Sequence, residues 1–285
     1  MANSLLNILG FLAATFLYYY KIKPTITLSI LNNKEEHNKY ISTSYLCLAI
    51  YFLLVVVGQF FINSMIISST CGGNIVENMG SATILTFLPW TLIFGVLVAI
   101  LTVYPGFKTA FSDVVGYYWV SDAANKLLTT LLINPNVQDK LNSGKESVTQ
   151  EQRDAMQSAA DAIIKICGNT SILINQIFPS NFESYWQILT PLKKPEYQND
   201  AGGITPKLKK DLFDLVVTKD NIGELMWFLY TGLLLVSLVQ LKLTTGGCVS
   251  NPKVMEQNRQ QFLKSEQKTK KQNELATSTD YTITT

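Results

Sequence analysis

Four stretches of this chain are dominated by apolar residues and contain no Asp, Glu, Lys or Arg. They cover residues 1–20, 41–71, 80–107 and 225–241. About 20 helical residues are needed to cross a hydrocarbon core about 30 Å thick. We therefore predict four transmembrane helices, over residues 4–20, 45–67, 83–104 and 225–241.

The first and last of these windows have alternative interpretations. Residues 225–241 could form a buried helix of a soluble domain, but they are apolar around the whole helix circumference, which favours a span. Residues 4–20 could belong to a cleaved signal peptide, which needs a basic start and a small-x-small cleavage site. Neither feature is present. The window ends instead in tyrosines and lysines, as an uncleaved span does at the headgroups.

The charges between the windows predict a topology. The first connection contains Lys21, Lys23, Lys34 and Lys39, whereas the second contains only Glu77 as a charged residue. Because Lys and Arg near span ends favour the cytosolic side, we expect the first and third connections to be cytosolic. The second connection and the tail are then lumenal or exterior, although basic residues early in the tail favour the opposite orientation.

Two cysteines follow spans on the same predicted face of the membrane. Cys71 comes after the second span and Cys248 after the fourth. They could form a disulfide if that face is oxidising. Two unrelated free thiols are the alternative, because the four cysteines of the chain do not determine a connectivity.

The segment after the third span combines a break with an apolar stripe. Pro105 and Gly106 end the span, and apolar residues then recur at helical spacing. We predict an amphipathic helix in the headgroup layer over residues 105–120. Its membrane-interface residues are Tyr104, Phe107, Phe111, Val115, Tyr118 and Trp119. The alternative is that this stripe is the first core helix of the domain that follows, packed on protein.

The rest of the third connection and the tail have different compositions. Residues 121–223 read as short helices separated by polar breaks, which predicts a helical soluble domain. Residues 242–285 are rich in Gln, Lys, Thr and Ser and form a polar basic tail that cannot fold alone. The predicted fold is an all-α membrane protein with about four transmembrane helices and a helical soluble domain inserted between spans 3 and 4.

Composition disfavours most kinds of catalytic site. The 285 residues are 47% hydrophobic and 15% charged, and His37 is the one histidine. The cysteine spacing does not match a zinc site, and no phosphate-binding or dinucleotide-binding glycine motif occurs. We predict no catalytic, cofactor-binding or metal-binding residue and expect that the chain is not an enzyme.

One segment of the chain resembles part of a known protein family. Residues 87–128 join an apolar span to the turn Tyr104-Pro105-Gly106-Phe107 and then to "FSDVVGYYW". This order resembles a segment of multi-span virion membrane proteins of the nucleocytoplasmic large DNA viruses, the group that includes the chlorella viruses. Asp113 departs from the pattern, in which Asn is expected.

The resemblance implies a structural or minor capsid protein of a large icosahedral DNA virus. Such a protein would lie in the virion inner membrane, which derives from host endomembrane, and anchor it to the capsid shell through the helical domain. The implied partners are the lipid bilayer and other capsid or minor capsid proteins. Self-association is a further possibility, and no specific nucleic-acid binding is expected.

A channel or permeability-altering protein in a host membrane is the alternative function. Transport usually requires charged or strongly polar residues inside spans. Here the spans offer only Gln59, Asn63 and Gln240, so a transporter or pump is disfavoured. Gln59 and Asn63 would line the pore of such a channel.

Overall fold

The computed structural model describes residues 2–71, 76, 79–132, 170–190, 193–199, 203–245 and 252–278, and these residues form helices without a β-strand. The α-helices are α1 (Ala2–Leu17), α2 (Leu28–Asn32), α3 (Lys34–Cys71), α4 (Met79–Pro89), α5 (Val96–Val103), α6 (Thr109–Phe111), α7 (Tyr117–Leu131), α8 (Thr170–Gln176), α9 (Phe182–Leu189), α10 (Thr205–Thr245) and α11 (Pro252–Ser278).

Four helical segments are long and apolar enough to cross a membrane. They are Leu5–Ile22, Lys34–Thr70, Met79–Val103 and Thr205–Thr245. Each contains most or all of one predicted span, so the all-α prediction with about four transmembrane helices is confirmed. The chain is a multi-span membrane protein.

Two of these segments contain a π-helical turn. Tyr18–Ile22 extends α1 beyond the predicted end of the first span. Trp90–Gly95 follows Pro89 and joins α4 to α5, so the third span stays helical across its proline. Because proline has no backbone N–H to donate, a local change of helical pitch is a common way to accommodate it.

The fourth span does not begin at a break. α10 is a single helix of 41 residues, about 60 Å long at ~1.5 Å per residue, which is twice the thickness of a hydrocarbon core. The apolar window at 225–241 is its second half, and residues 205–224 continue the same helix beyond the span. The two parts are continuous through Gly223, which is buried against a neighbouring helix and does not end α10.

A second hydrophobic core lies beside the span bundle. We call the elements around it the helical cap, which comprises α2, α7, α8, α9 and residues 205–224 of α10. Leu128, Ile174, Trp186 and Phe213 are fully or almost fully buried in this core. The cap contains more than the predicted domain at 121–223, because Leu28 of α2, from the first connection, also packs against it.

The bundle has an aromatic core with a polar layer beside it. Phe11, Tyr51, Trp90, Phe94 and Phe228 are buried together, with ring centroids 5.3 to 6.1 Å apart in the Phe11, Trp90 and Phe94 trio. The polar layer consists of Asn7, Gln59, Asn63, Thr86 and Gln240, which bring one or two side chains from each span.

The tail forms one long helix. In α11 every side chain that the structure describes is exposed, so this helix adds nothing to a core. Pairs such as Glu266 with Lys270, 3.1 Å apart, support it along its own surface. The proposed pairing of Cys71 with Cys248 lies outside the description, because Cys248 and the side chain of Cys71 are not among the described parts.

Candidate functional site at the membrane boundary

Four charged side chains meet where the bundle joins the helical cap. We call Lys23, Lys108, Asp220 and Glu224 the boundary cluster. Lys23 follows the π-helical turn that ends the first span, and Lys108 lies in the 3-10 turn Pro105–Lys108 after the third. Asp220 and Glu224 are one helical turn apart on α10, just before its apolar window. Residues flanking three different spans therefore converge at one point.

Glu224 is the centre of the boundary cluster. Its Oε1 lies 2.6 Å from Nζ of Lys23 and accepts a hydrogen bond from the Tyr19 hydroxyl at 3.0 Å. Its Oε2 lies 2.8 Å from Nζ of Lys108, which also contacts Oδ2 of Asp220 at 3.1 Å. The two carboxylates and two ammonium groups balance each other in charge.

The cluster is largely shielded from solvent, and this determines its electrostatics. Its side chains are 11 to 16% exposed. Burial lowers the pKa of Lys23 below its ordinary value, against the attraction of Glu224. Burial also acts to lower the pKa of Lys108, but Glu224 and Asp220 outweigh it and hold that pKa above the ordinary value. Lys108 therefore stays charged.

A second ion pair involves Lys219, the residue directly before Asp220 on α10. The side chain of Lys219 is completely buried, and its Nζ lies 3.0 Å from Oδ1 of Asp113. Asn175 of α8 accepts from the same ammonium at 3.5 Å and donates to the backbone carbonyl of Asp113 at 3.2 Å. This pair ties the segment after the third span to two elements of the helical cap.

Two glycines allow these helices to approach closely. A Cβ on Gly223 would lie 2.6 Å from Cβ of Ser112 and 2.9 Å from the Lys108 carbonyl oxygen. A Cβ on Gly116 would lie 2.5 Å from the Lys219 carbonyl oxygen. Only a residue without a side chain fits at either position with the backbone where it is, so the glycines set the distance at which the charges meet.

A cavity of about 460 Å³ opens beside the boundary cluster. Span residues Leu48, Val98, Leu101 and Phe228 line one part of it, and the boundary cluster and His37 line another. The cavity therefore combines an apolar wall from the bundle with a charged wall from the junction.

The predicted membrane-interface residues separate into two groups. Tyr104, Phe107, Tyr118 and Trp119 are 54 to 80% exposed, so their side chains are open to lipid or to a partner. Phe111 and Val115 are half-buried. The ring centroid of Phe111 lies 5.0 Å from that of Trp227 on α10. Contact of the exposed group with headgroups stays a prediction.

The segment that contains these residues runs along α10. The Phe107 carbonyl accepts from Trp227 at 2.8 Å, Ser112 faces Gly223, and Gly116 faces Lys219. The segment is thus antiparallel to α10 and leads away from the span. It continues through α7 to Leu131, so the predicted helix end at residue 120 is wrong. The buried face of this segment packs on protein, as in the alternative interpretation, and the position of its exposed face in the headgroup layer stays a prediction.

Gln59 and Asn63 lie in the closed interior of the bundle. Nε2 of Gln59 donates to the Asn7 carbonyl oxygen at 3.0 Å, and Asn63 donates to Thr86 at 2.9 Å and accepts from Asn7 at 3.1 Å. Both side chains are at most 2% exposed. Their geometry is that of interhelical hydrogen bonds between packed spans.

The boundary cluster was not among the residues predicted from sequence. The sequence feature that points to this cluster is the presence of opposite charges just outside different spans on one predicted membrane face. Lys23 and Lys108 are the basic residues, and Asp220 and Glu224 are the acidic ones. Basic residues at span ends indicate only the orientation of the chain, and which acids they meet depends on how the spans pack.

Within the described residues, no group of three or more His, Cys, Asp or Glu side chains is placed to hold a metal ion. No protein-family model, curated protein or solved structure matches the chain. The structure thus defines the class as a multi-span helical membrane protein. The distinctive feature of this member is a charged junction between its spans and a helical cap.

Proposed function

We propose that this chain is a structural membrane protein that anchors the inner membrane of a large icosahedral DNA virus to its capsid shell. The helical cap is the part that contacts capsid or minor capsid proteins, and the four spans hold it in the bilayer. The viral origin rests on the resemblance of residues 87–128 to virion membrane proteins.

The continuity of α10 is the observation that carries an anchoring role. One helix provides both a wall of the cap and the fourth span, so no flexible joint separates them. The boundary cluster ties this helix to the ends of the first and third spans. A load applied to the cap is therefore passed to the bundle at several points.

Membrane extraction of purified virions tests the proposal. Mild detergent should release the chain with the inner membrane, and it should be found in every intact particle. Absence from the virion, or release with the soluble contents, would end this interpretation.

Site-specific photo-crosslinking tests which part meets the shell. A photoreactive residue in place of Ile188, which is 62% exposed on α9, should form a covalent product with a capsid or minor capsid protein in intact virions. Val76 is the matched control, because it is 77% exposed in the connection after the second span. Equal crosslinking to the shell from both positions would contradict a role for the cap.

A further inference from the structure

The cavity beside the boundary cluster has a polarity gradient. Its apolar wall comes from residues inside spans, such as Leu48 and Leu101, and its polar wall from residues just outside them, such as Lys23 and Asp220. Phe178, in the connection between α8 and α9, also lines it. An amphiphile at the edge of a bilayer has the same order of apolar and polar parts.

The charge of the polar wall is balanced. Lys23 and Lys108 face Asp220 and Glu224, and the ion pairs among them are already formed. A ligand with a net charge gains little from a neutral wall, whereas a ligand with one positive and one negative group finds a partner for each.

Several polar groups on this wall remain available. Among the described residues, Oδ1 of Asp220 has no hydrogen-bond partner, in contrast to its Oδ2. The side chains of His37 and Asn221 also line the cavity without a hydrogen bond to another described residue. The carboxylate oxygen accepts from an ammonium group, and the imidazole and amide N–H groups donate to a phosphate.

We propose that this cavity binds the headgroup of one zwitterionic phospholipid, with its ammonium group at Asp220 and its phosphate at His37 and Asn221. The volume of about 460 Å³ is within the range of small-molecule sites. The apolar wall then receives the start of an acyl chain. Lipid binding at this site does not depend on the anchoring role proposed above.

Lipid retention by the full chain tests the site. The protein is reconstituted into vesicles of equal parts phosphatidylethanolamine and phosphatidylglycerol, extracted in mild detergent, and examined by native mass spectrometry. One phosphatidylethanolamine per chain should remain bound. Retention of no lipid would overturn the proposal. Preferential retention of phosphatidylglycerol would overturn the zwitterionic assignment.

Two tryptophan variants locate the binding. Val98→Trp fills the apolar wall of the cavity and should lower retention at least about tenfold at equal lipid concentration. Val96→Trp is the control, because Val96 is 50% exposed on the same helix and does not line the cavity. Equal retention by the two variants would place the lipid elsewhere.

Replacing a polar residue of the cavity wall provides a second measurement that leaves the ion pairs intact. Asn221→Leu removes a proposed phosphate donor and should weaken retention of phosphatidylethanolamine without changing the circular dichroism of the protein. Asn125→Leu is the control on α7, outside the lining of this cavity. Retention that is unchanged in Asn221→Leu would contradict the assigned phosphate position.

Discussion

The polar layer inside the bundle and the boundary cluster at its edge both join spans, but with different chemistry. The polar layer uses neutral side chains, such as Asn7 and Asn63, whose hydrogen bond measures 3.1 Å. The boundary cluster uses full charges, with Glu224 between Lys23 and Lys108. A charge is far more costly than an amide to place in hydrocarbon, so the ion pairs lie where the spans end and the cap covers them.

This difference predicts unequal consequences of mutation. Hydrogen bonds between transmembrane helices contribute about 1 kcal/mol or less, because the separated helices also find partners. Removing one member of a buried ion pair costs about 3 to 5 kcal/mol, because the remaining charge stays buried without its partner. The boundary cluster should therefore be the more sensitive of the two sites.

Neutralising the centre of the boundary cluster should have the largest effect. Glu224→Gln keeps the shape of the side chain but leaves Lys23 without a carboxylate, and we expect a loss of about 3 kcal/mol in the free energy of unfolding. Equilibrium unfolding in mixed micelles measures it. Glu196→Gln is the matched control on an exposed residue and should stay within about 0.5 kcal/mol of the wild type. Equal stabilities of the two variants would show that the cluster contributes nothing.

Separating the helices at the same junction should have the next largest effect. In Gly223→Ala the new Cβ meets Ser112 and the Lys108 carbonyl, so the segment must move away from α10. We expect a loss of about 2 kcal/mol in the same unfolding assay. Gly58→Ala is the control, since a Cβ on Gly58 meets nothing within 4 Å and should raise stability by up to about 1 kcal/mol. A stabilised Gly223→Ala variant would contradict the close approach.

Disrupting the polar layer should have a smaller effect. Asn63→Leu removes the hydrogen bonds to Asn7 and Thr86, and we expect it to lower the free energy of unfolding by about 1 kcal/mol. Ser64→Ala, which removes a hydrogen bond only to its own helix at Phe60, should be close to neutral. A loss in Asn63→Leu as large as that in Glu224→Gln would remove the distinction between the two regions.

The smallest effect is expected from Gln59→Leu, measured as ion conductance. Gln59 is bonded inside the bundle, so liposomes containing the wild type or Gln59→Leu should show the same absence of conductance. A wild-type conductance that Gln59→Leu changes would support the alternative function of a channel and would show that the polar layer opens to water.

The helical class and the positions of the spans were predictable because both depend on local composition. A run of apolar residues long enough to cross a bilayer is visible without knowing its neighbours. The apolar windows at 45–67 and 225–241 both lie inside observed helices that are long enough to span. Hydropathy did not reveal that α3 and α10 extend far beyond those windows, because the polar residues that precede each window do not favour transfer into the bilayer. In α10 several of the residues before the window, such as Phe213, pack in the helical cap.

The boundary cluster and the cavity were decided by tertiary structure alone. Lys23 and Glu224 are separated by 201 positions in the chain, and Lys108 and Asp220 by 112. Hydropathy shows that these charges flank spans, but which charges meet depends on how the helices are arranged and on the close contact at Gly223. The amino-acid sequence by itself thus determined which segments enter the bilayer, since transfer from water to lipid is a property of each segment. Packing between distant segments determined which polar groups face each other, since that energy exists only once the helices are in contact.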